Sequence, residues 1–280
     1  MTSASGYSAS ALVGLASIAL ALLAVVLALA WWRGGLSRKS RAQRFGALGA
    51  LTLFLCFDLV VFGAYTRLSD SGLGCPDWPG CYATASPIAA APFIAEAEAA
   101  APHGPVTSRK AWIEMVHRYL AMALGALIIV LAAFALRVRR ELPWAWPWAL
   151  LALFWVVLQG AFGALTVRWK LYPAIVTLHL LGGMGLLALL SLQPGASQEG
   201  ACRGENARKN GLLLAAAALA LTVQIALGGW VSANYAVLAC SGFPQCNGQW
   251  WPRMNWAEGF TLLHDLGRRA DGQPISMSAL

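Results

Sequence analysis

Residues 112–119, WIEMVHRY, put a glutamate, a histidine and an arginine into the first turns of a long apolar stretch. An ionisable side chain costs roughly 2.5–3.5 kcal/mol near the centre of a membrane span and less near its edge, so such groups point to a site. Glu114 and His117 are three residues apart and share one helical face. Glu114 and Arg118 are four apart, which equally allows a plain ion pair. His179, in IVTLHLLGG, is the only other histidine inside an apolar stretch. Imidazole is a metal ligand and a proton carrier near neutral pH, and a buried carboxylate can take or give a proton. His103 and His264 sit among Pro, Gly or charged residues and read as solvated loop positions.

Two further pairs carry possible chemistry. Cys75 and Cys81 flank PDWPG, and Cys240 and Cys246 flank SGFPQ. This C-x5-C spacing fits neither a thioredoxin-like C-x-x-C nor a haem-attaching C-x-x-C-H. Structural staples, an electron-passing thiol pair and a metal site therefore all stay open. Cys56 and Cys202 have no evident partner in the sequence.

The elements that must position these residues are membrane helices. The chain is 59% hydrophobic and 11% charged, whereas soluble domains are roughly a quarter charged. Six stretches are long enough to cross about 30 Å of hydrocarbon: 11–32, 46–66, 111–136, 142–167, 171–192 and 211–235. The first reads as an anchoring helix, because no Lys or Arg precedes it as in a secretory signal. Basic residues concentrate in alternate loops: Arg33, Arg38, Lys39, Arg41 and Arg44; Arg137, Arg139 and Arg140; Arg203, Arg208 and Lys209. By the positive-inside rule these loops are cytoplasmic, which puts both cysteine pairs on the external, oxidising side. The net charge of +8 then reports topology and contact with anionic membrane lipid. No aromatic-basic nucleic-acid motif is present, so nucleic acid is not an expected partner.

Depth links the two histidines. Both spans enter from the external side, with His117 five residues past Trp112 and His179 six past Pro173. At 1.5 Å per residue each lies roughly 7–9 Å below the outer boundary. Imidazoles at equal depth on two parallel-running helices could hold one iron from opposite faces of a haem. The glycines after His179 (Gly182, Gly183, Gly185) would let a flat ligand or a helix approach closely.

The chain also repeats itself at an offset of 165: Gly63 maps to Gly228, Ala64 to Gly229, Leu73 to Leu238, Cys75 to Cys240, Trp78 to Phe243, Pro79 to Pro244 and Cys81 to Cys246. The counterpart of His117 would fall at 282, beyond Leu280, so the second repeat reads as truncated. The resulting organisation is an all-α membrane protein, a transmembrane helical bundle with duplicated halves, the second incomplete. Residues 1–45 form an extra N-terminal helix and basic loop, 46–192 the first half, and 193–280 the start of the second.

The segments GAYTRLSDSGLGCPDWPGCY, WIEMVHRYLA, LTVRWKLYPAIVTLHLLGG and QIALGGWVSANYAVLACSGFPQCNGQWWP together resemble haem A synthase, a membrane enzyme that oxidises haem O to haem A for cytochrome oxidase. The resemblance runs from about Gly46 to the C-terminus. It implies that His117 and His179 bind the substrate haem iron and that Glu114 acts in catalysis. It further implies disulfides Cys75–Cys81 and Cys240–Cys246, and a haem b cofactor whose ligands lie beyond residue 280. His264 does not replace them, since it falls well short of position 282. Expected partners are lipid, haem O, haem O synthase, oxidase assembly factors and a second copy of the chain; the expected location is the bacterial inner membrane, cysteine loops outward. Two other readings compete, a bis-histidine electron-transfer cytochrome and a disulfide- or quinone-dependent oxidoreductase.

Overall fold

The computed structural model describes residues 11–18, 20, 22, 40–193, 207–236, 239–252, 254 and 256–262. His264, Cys202, Arg203 and most of the first anticipated span lie outside these. The described chain is helical: α1 (Arg41–Leu68), α2 (Ala91–Ala100), α3 (Ser108–Arg137), α4 (Ala145–Arg168), α5 (Pro173–Ser191), α6 (Ala207–Ala233) and the single-turn α7 (Trp256–Gly259). Five of them are long and apolar enough to cross a membrane, namely α1, α3, α4, α5 and Gly211–Ala233 of α6. They match five of the anticipated spans. Residues 11–18 are also helical.

Local chemistry sets the helix starts. Ser40 and Gln43 form a reciprocal capping box at α1, and the Thr107 side chain accepts from Lys110 N at α3, satisfying amides that a first turn leaves unpaired. Helix α2 was not anticipated. Its alanine- and glutamate-rich sequence with Pro92 in the first turn favours helix, but ten residues give no span signal.

The chain divides into two compact units, residues 1–167 with 183–201, and 168–182 with 202–280. In the first, Phe45, Leu48 and Cys56 of α1 pack with Leu124, Leu127, Ile128 and Leu131 of α3, Trp148, Ala149 and Ala152 of α4, and Leu186 and Leu190 of α5. Hydrophobic association drives little in lipid, so tight packing must do the work, and small residues permit it. Ala135, Ala145, Ala149 and Ala152 are fully buried. Trp148 Nε1 donates to Leu189 O at 3.0 Å. Phe45 packs against Phe134, Trp144 and Trp148, tying the start of α1 to the end of α3 and the start of α4.

A second cluster caps the opposite end of the first unit. Leu15, the Cys75–Cys81 loop, Ala90 and Ile94 pack with Ala111 and Met115 of α3. The N-terminal helical residues thus contact the first cysteine loop, as an alternating topology requires.

In the second unit α5 and α6 approach closely. A methyl at Gly229 would come within 2.8 Å of Leu180 and 3.5 Å of Thr177.

The repeat is conformational as well as sequential. Both loops carry disulfides, Cys75–Cys81 and Cys240–Cys246. Isolated bridges Cys81–Thr84 and Cys246–Gln249 fall in register, as do the cis bonds Trp78-Pro79 and Phe243-Pro244. Three left-handed positions also coincide: Asp70 with Tyr235, Tyr82 with Asn247, and Ala83 with Gly248. Left-handed backbone is rare for residues with a side chain, so the two pairs without glycine, falling at one offset, support duplication.

Candidate functional site

The first cysteine loop is built onto α3 by backbone contact. A Cβ at Gly74 would lie 2.4 Å from the Lys110 carbonyl carbon and 2.6 Å from Ala111 N, so glycine alone lets the loop lie on the helix. Asp77 accepts from Tyr82 N at 2.7 Å and Ala83 N at 2.6 Å, which holds the left-handed pair in place. Tyr119 Oη donates to Ala85 O at 2.7 Å, and Lys110 Nζ pairs with Asp70 at 3.0 Å. The loop is therefore bonded to α3 along two turns of that helix.

Glu114 and Arg118 form the centre of this contact. Glu114 is 4% exposed and Arg118 8%. One Glu114 oxygen accepts from Cys75 N at 2.7 Å, and the other accepts from Arg118 Nη2. Arg118 Nη1 donates to Asp77 O at 2.7 Å and to Gly80 O. A buried ion pair recovers its desolvation only when such added hydrogen bonds complete it. Sequence spacing allows the pair, but the three loop partners follow from tertiary structure alone.

His117, one turn on, is half-buried and faces α1. A methyl at Gly63 would meet His117 Nε2 at 3.0 Å, and Phe62 stacks on the imidazole with centroids 6.4 Å apart and planes at 11°. Glycine at 63 is what keeps a side chain off Nε2. Its repeat equivalent, Gly228, meets nothing within 4 Å.

The site residues are thus grouped in part. Glu114, His117 and the Cys75–Cys81 loop belong to the first unit, and His179 and the Cys240–Cys246 loop to the second. His179 lies on α5, half-buried, two residues past buried Thr177 and next to half-buried Leu180. His103 is exposed, as expected of a loop histidine. Among the described residues no group of three or more His, Cys, Asp or Glu could hold a metal ion. A haem iron with two axial histidines needs no such cluster.

Two buried residues were missed in the sequence, Gln159 on α4 and Thr177 on α5. Their signal was a polar side chain within an apolar span.

Comparison with known proteins bears on the same stretch. Residues 46–266 match the family described as cytochrome oxidase assembly protein. A haem A synthase of Shewanella oneidensis is 38% identical over 213 residues, covering 75% of this chain and 64% of that protein. Haem A synthases of Halalkalibacterium halodurans and Shouchella clausii are 30% and 28% identical, covering 77% and 79% of this chain and 68% and 69% of theirs. This chain therefore spans about two thirds of the length of the relatives it matches. No solved structure matches significantly.

Proposed function

Because the chain belongs to the cytochrome oxidase assembly protein family, we propose that it is a multi-pass bacterial membrane protein acting in haem A synthesis, an oxidoreductase whose substrate is haem O. In this reading His117 and His179 are the axial ligands of the substrate iron. One ring methyl is oxidised to a formyl group through the hydroxymethyl stage, gaining one oxygen at the level of water and passing four electrons and four protons to an external acceptor. The cysteine loops face the periplasm, where basic-residue asymmetry puts them and where disulfides persist. Lipid, haem O synthase, oxidase assembly factors and a second copy of the chain are its proposed partners.

The observation that carries the reading is the arrangement on α3. A half-buried imidazole packed against Gly63 and Phe62 of α1 stands one turn from a buried carboxylate, beside a disulfide-closed loop that bonds to that carboxylate. In a water-poor site a fixed carboxylate can steady positive charge developing at a porphyrin edge or accept the proton lost there. Arg118 and the Cys75 N–H fix both Glu114 oxygens, so Glu114 is oriented before substrate arrives.

Haem b as a resident cofactor belongs to the same reading, but the sequence has no histidine between 180 and 263. The described residues thus offer no axial pair for it, and no step is assigned to it.

Pigment extraction tests the proposal. Expressed with a source of haem O, the protein should yield haem A or its alcohol precursor, and His117→Ala and His179→Ala should each lose substrate haem. Unchanged haem stoichiometry and spectra in both variants would remove them as ligands. A second reading, a bis-histidine electron-transfer cytochrome, is favoured by the full engagement of Glu114 in structural bonds; it predicts bound haem that is never modified.

A further inference from the structure

Gln159 lies within the membrane-crossing part of α4, is 9% exposed, and its Oε1 has no hydrogen-bond partner among the described residues. It stands one turn from Trp155, two from Ala152 and three from Trp148, on one stripe of the helix. Trp148 and Ala152 belong to the core, and Trp155 lies against Gly185, so this stripe faces the interior of the first unit. An acceptor left bare in a dry interior is unfavourable, and hydrocarbon supplies no water to relieve it. Such a group is explained when something else brings the missing donor.

Helix register says what that could be. Phe45 stacks on Phe134 of α3 and meets Trp148 of α4 edge-on, which sets a common level for the two helices. Counted from it, His117 is seventeen residues along α3 and Gln159 eleven along α4, both toward the cysteine loop. At 1.5 Å per residue Gln159 is about 9 Å deeper in the membrane than His117. That separation matches the distance from a porphyrin's iron to its peripheral substituents rather than to its axial positions.

We propose that Gln159 Oε1 accepts a hydrogen bond from a hydroxyl on the periphery of the bound porphyrin, making Gln159 a specificity-determining residue for hydroxylated haem. This rests on the haem reading above. Two hydroxyls share the required chemistry, that of the isoprenoid side chain of haem O and that of the hydroxymethyl group after the first oxidation. A buried acceptor discriminates strongly against a ligand lacking the donor, because the acceptor is then left unpaired. A plain apolar pocket discriminates far less.

The test is equilibrium Soret titration of the purified protein in nanodiscs, with wild type, Gln159→Leu and Gln159→Met. The probes are haem O, its deoxy analogue retaining the isoprenoid, and the hydroxymethyl haem. Wild type should bind haem O or the hydroxymethyl haem roughly 5- to 100-fold more tightly than the unhydroxylated counterpart, and both variants should lose that preference. Loss confined to haem O assigns the isoprenoid hydroxyl, and loss confined to the alcohol assigns the hydroxymethyl group. Equal binding of hydroxylated and deoxy haems by wild type overturns the inference without any variant being needed, as does an unchanged preference in folded variants. Failure of wild type to bind any of the three overturns the haem reading itself.

Discussion

Glu114 has both oxygens occupied, by Arg118 and by the Cys75 amide, and single substitutions here separate stability from chemistry. Arg118→Met leaves a carboxylate buried without its cation, which should destabilise the first unit by about 3–5 kcal/mol. Thermal unfolding in detergent would report it, and Glu114→Gln/Arg118→Met should recover part of the loss because no bare charge remains. Glu114→Gln alone keeps the shape and should retain haem while haem O or the alcohol accumulates. Normal haem A yield in that variant would exclude a chemical role for Glu114. At Gly63 the added methyl of Gly63→Ala would press on His117 Nε2 at 3.0 Å. Haem affinity should fall roughly tenfold, about 1.4 kcal/mol, and a titration curve identical to wild type would show that the imidazole does not bind there.

At the scale of elements, the first cysteine loop and α3 behave as one piece. The Cys75–Cys81 disulfide closes a short loop whose amide and carbonyl groups are partners of Glu114 and Arg118. Cys75→Ser/Cys81→Ser should therefore speed amide hydrogen exchange across residues 72–84, the Cys75 amide included, and lower conversion of bound haem while His117 still retains it. The disulfide contributes about 2 kcal/mol on a chain-entropy estimate for so short a loop. Unaltered exchange at Cys75 would show that Gly74 and Asp77 hold the loop without it. Helix α2 was illegible in the sequence for a related reason: its alanine-rich face becomes meaningful only where Ile94 meets Ala111 and Met115.

For the whole molecule, basic-residue asymmetry and the repeat make one topological prediction. In a Cys202→Ser background, a cysteine placed by His103→Cys should react with a membrane-impermeant maleimide in intact spheroplasts. Arg139→Cys should react only after permeabilisation. Both native side chains are exposed, so the reverse pattern would invert the orientation.

The sequence by itself determined the membrane class, five of the helices, the cysteine register and the family likeness, because apolar length, charge asymmetry and motif spacing are written along the chain. It also marked Glu114, His117 and His179, since an ionisable group within a span is conspicuous whatever surrounds it. Tertiary structure decided what those groups touch. That Glu114 takes the Cys75 amide, that Arg118 reaches Asp77 and Gly80, that Gly63 borders His117 and that Gln159 turns inward all depend on residues far apart in the chain. Helix packing brings them together, and side-chain spacing along one helix carries no record of which neighbour lies opposite.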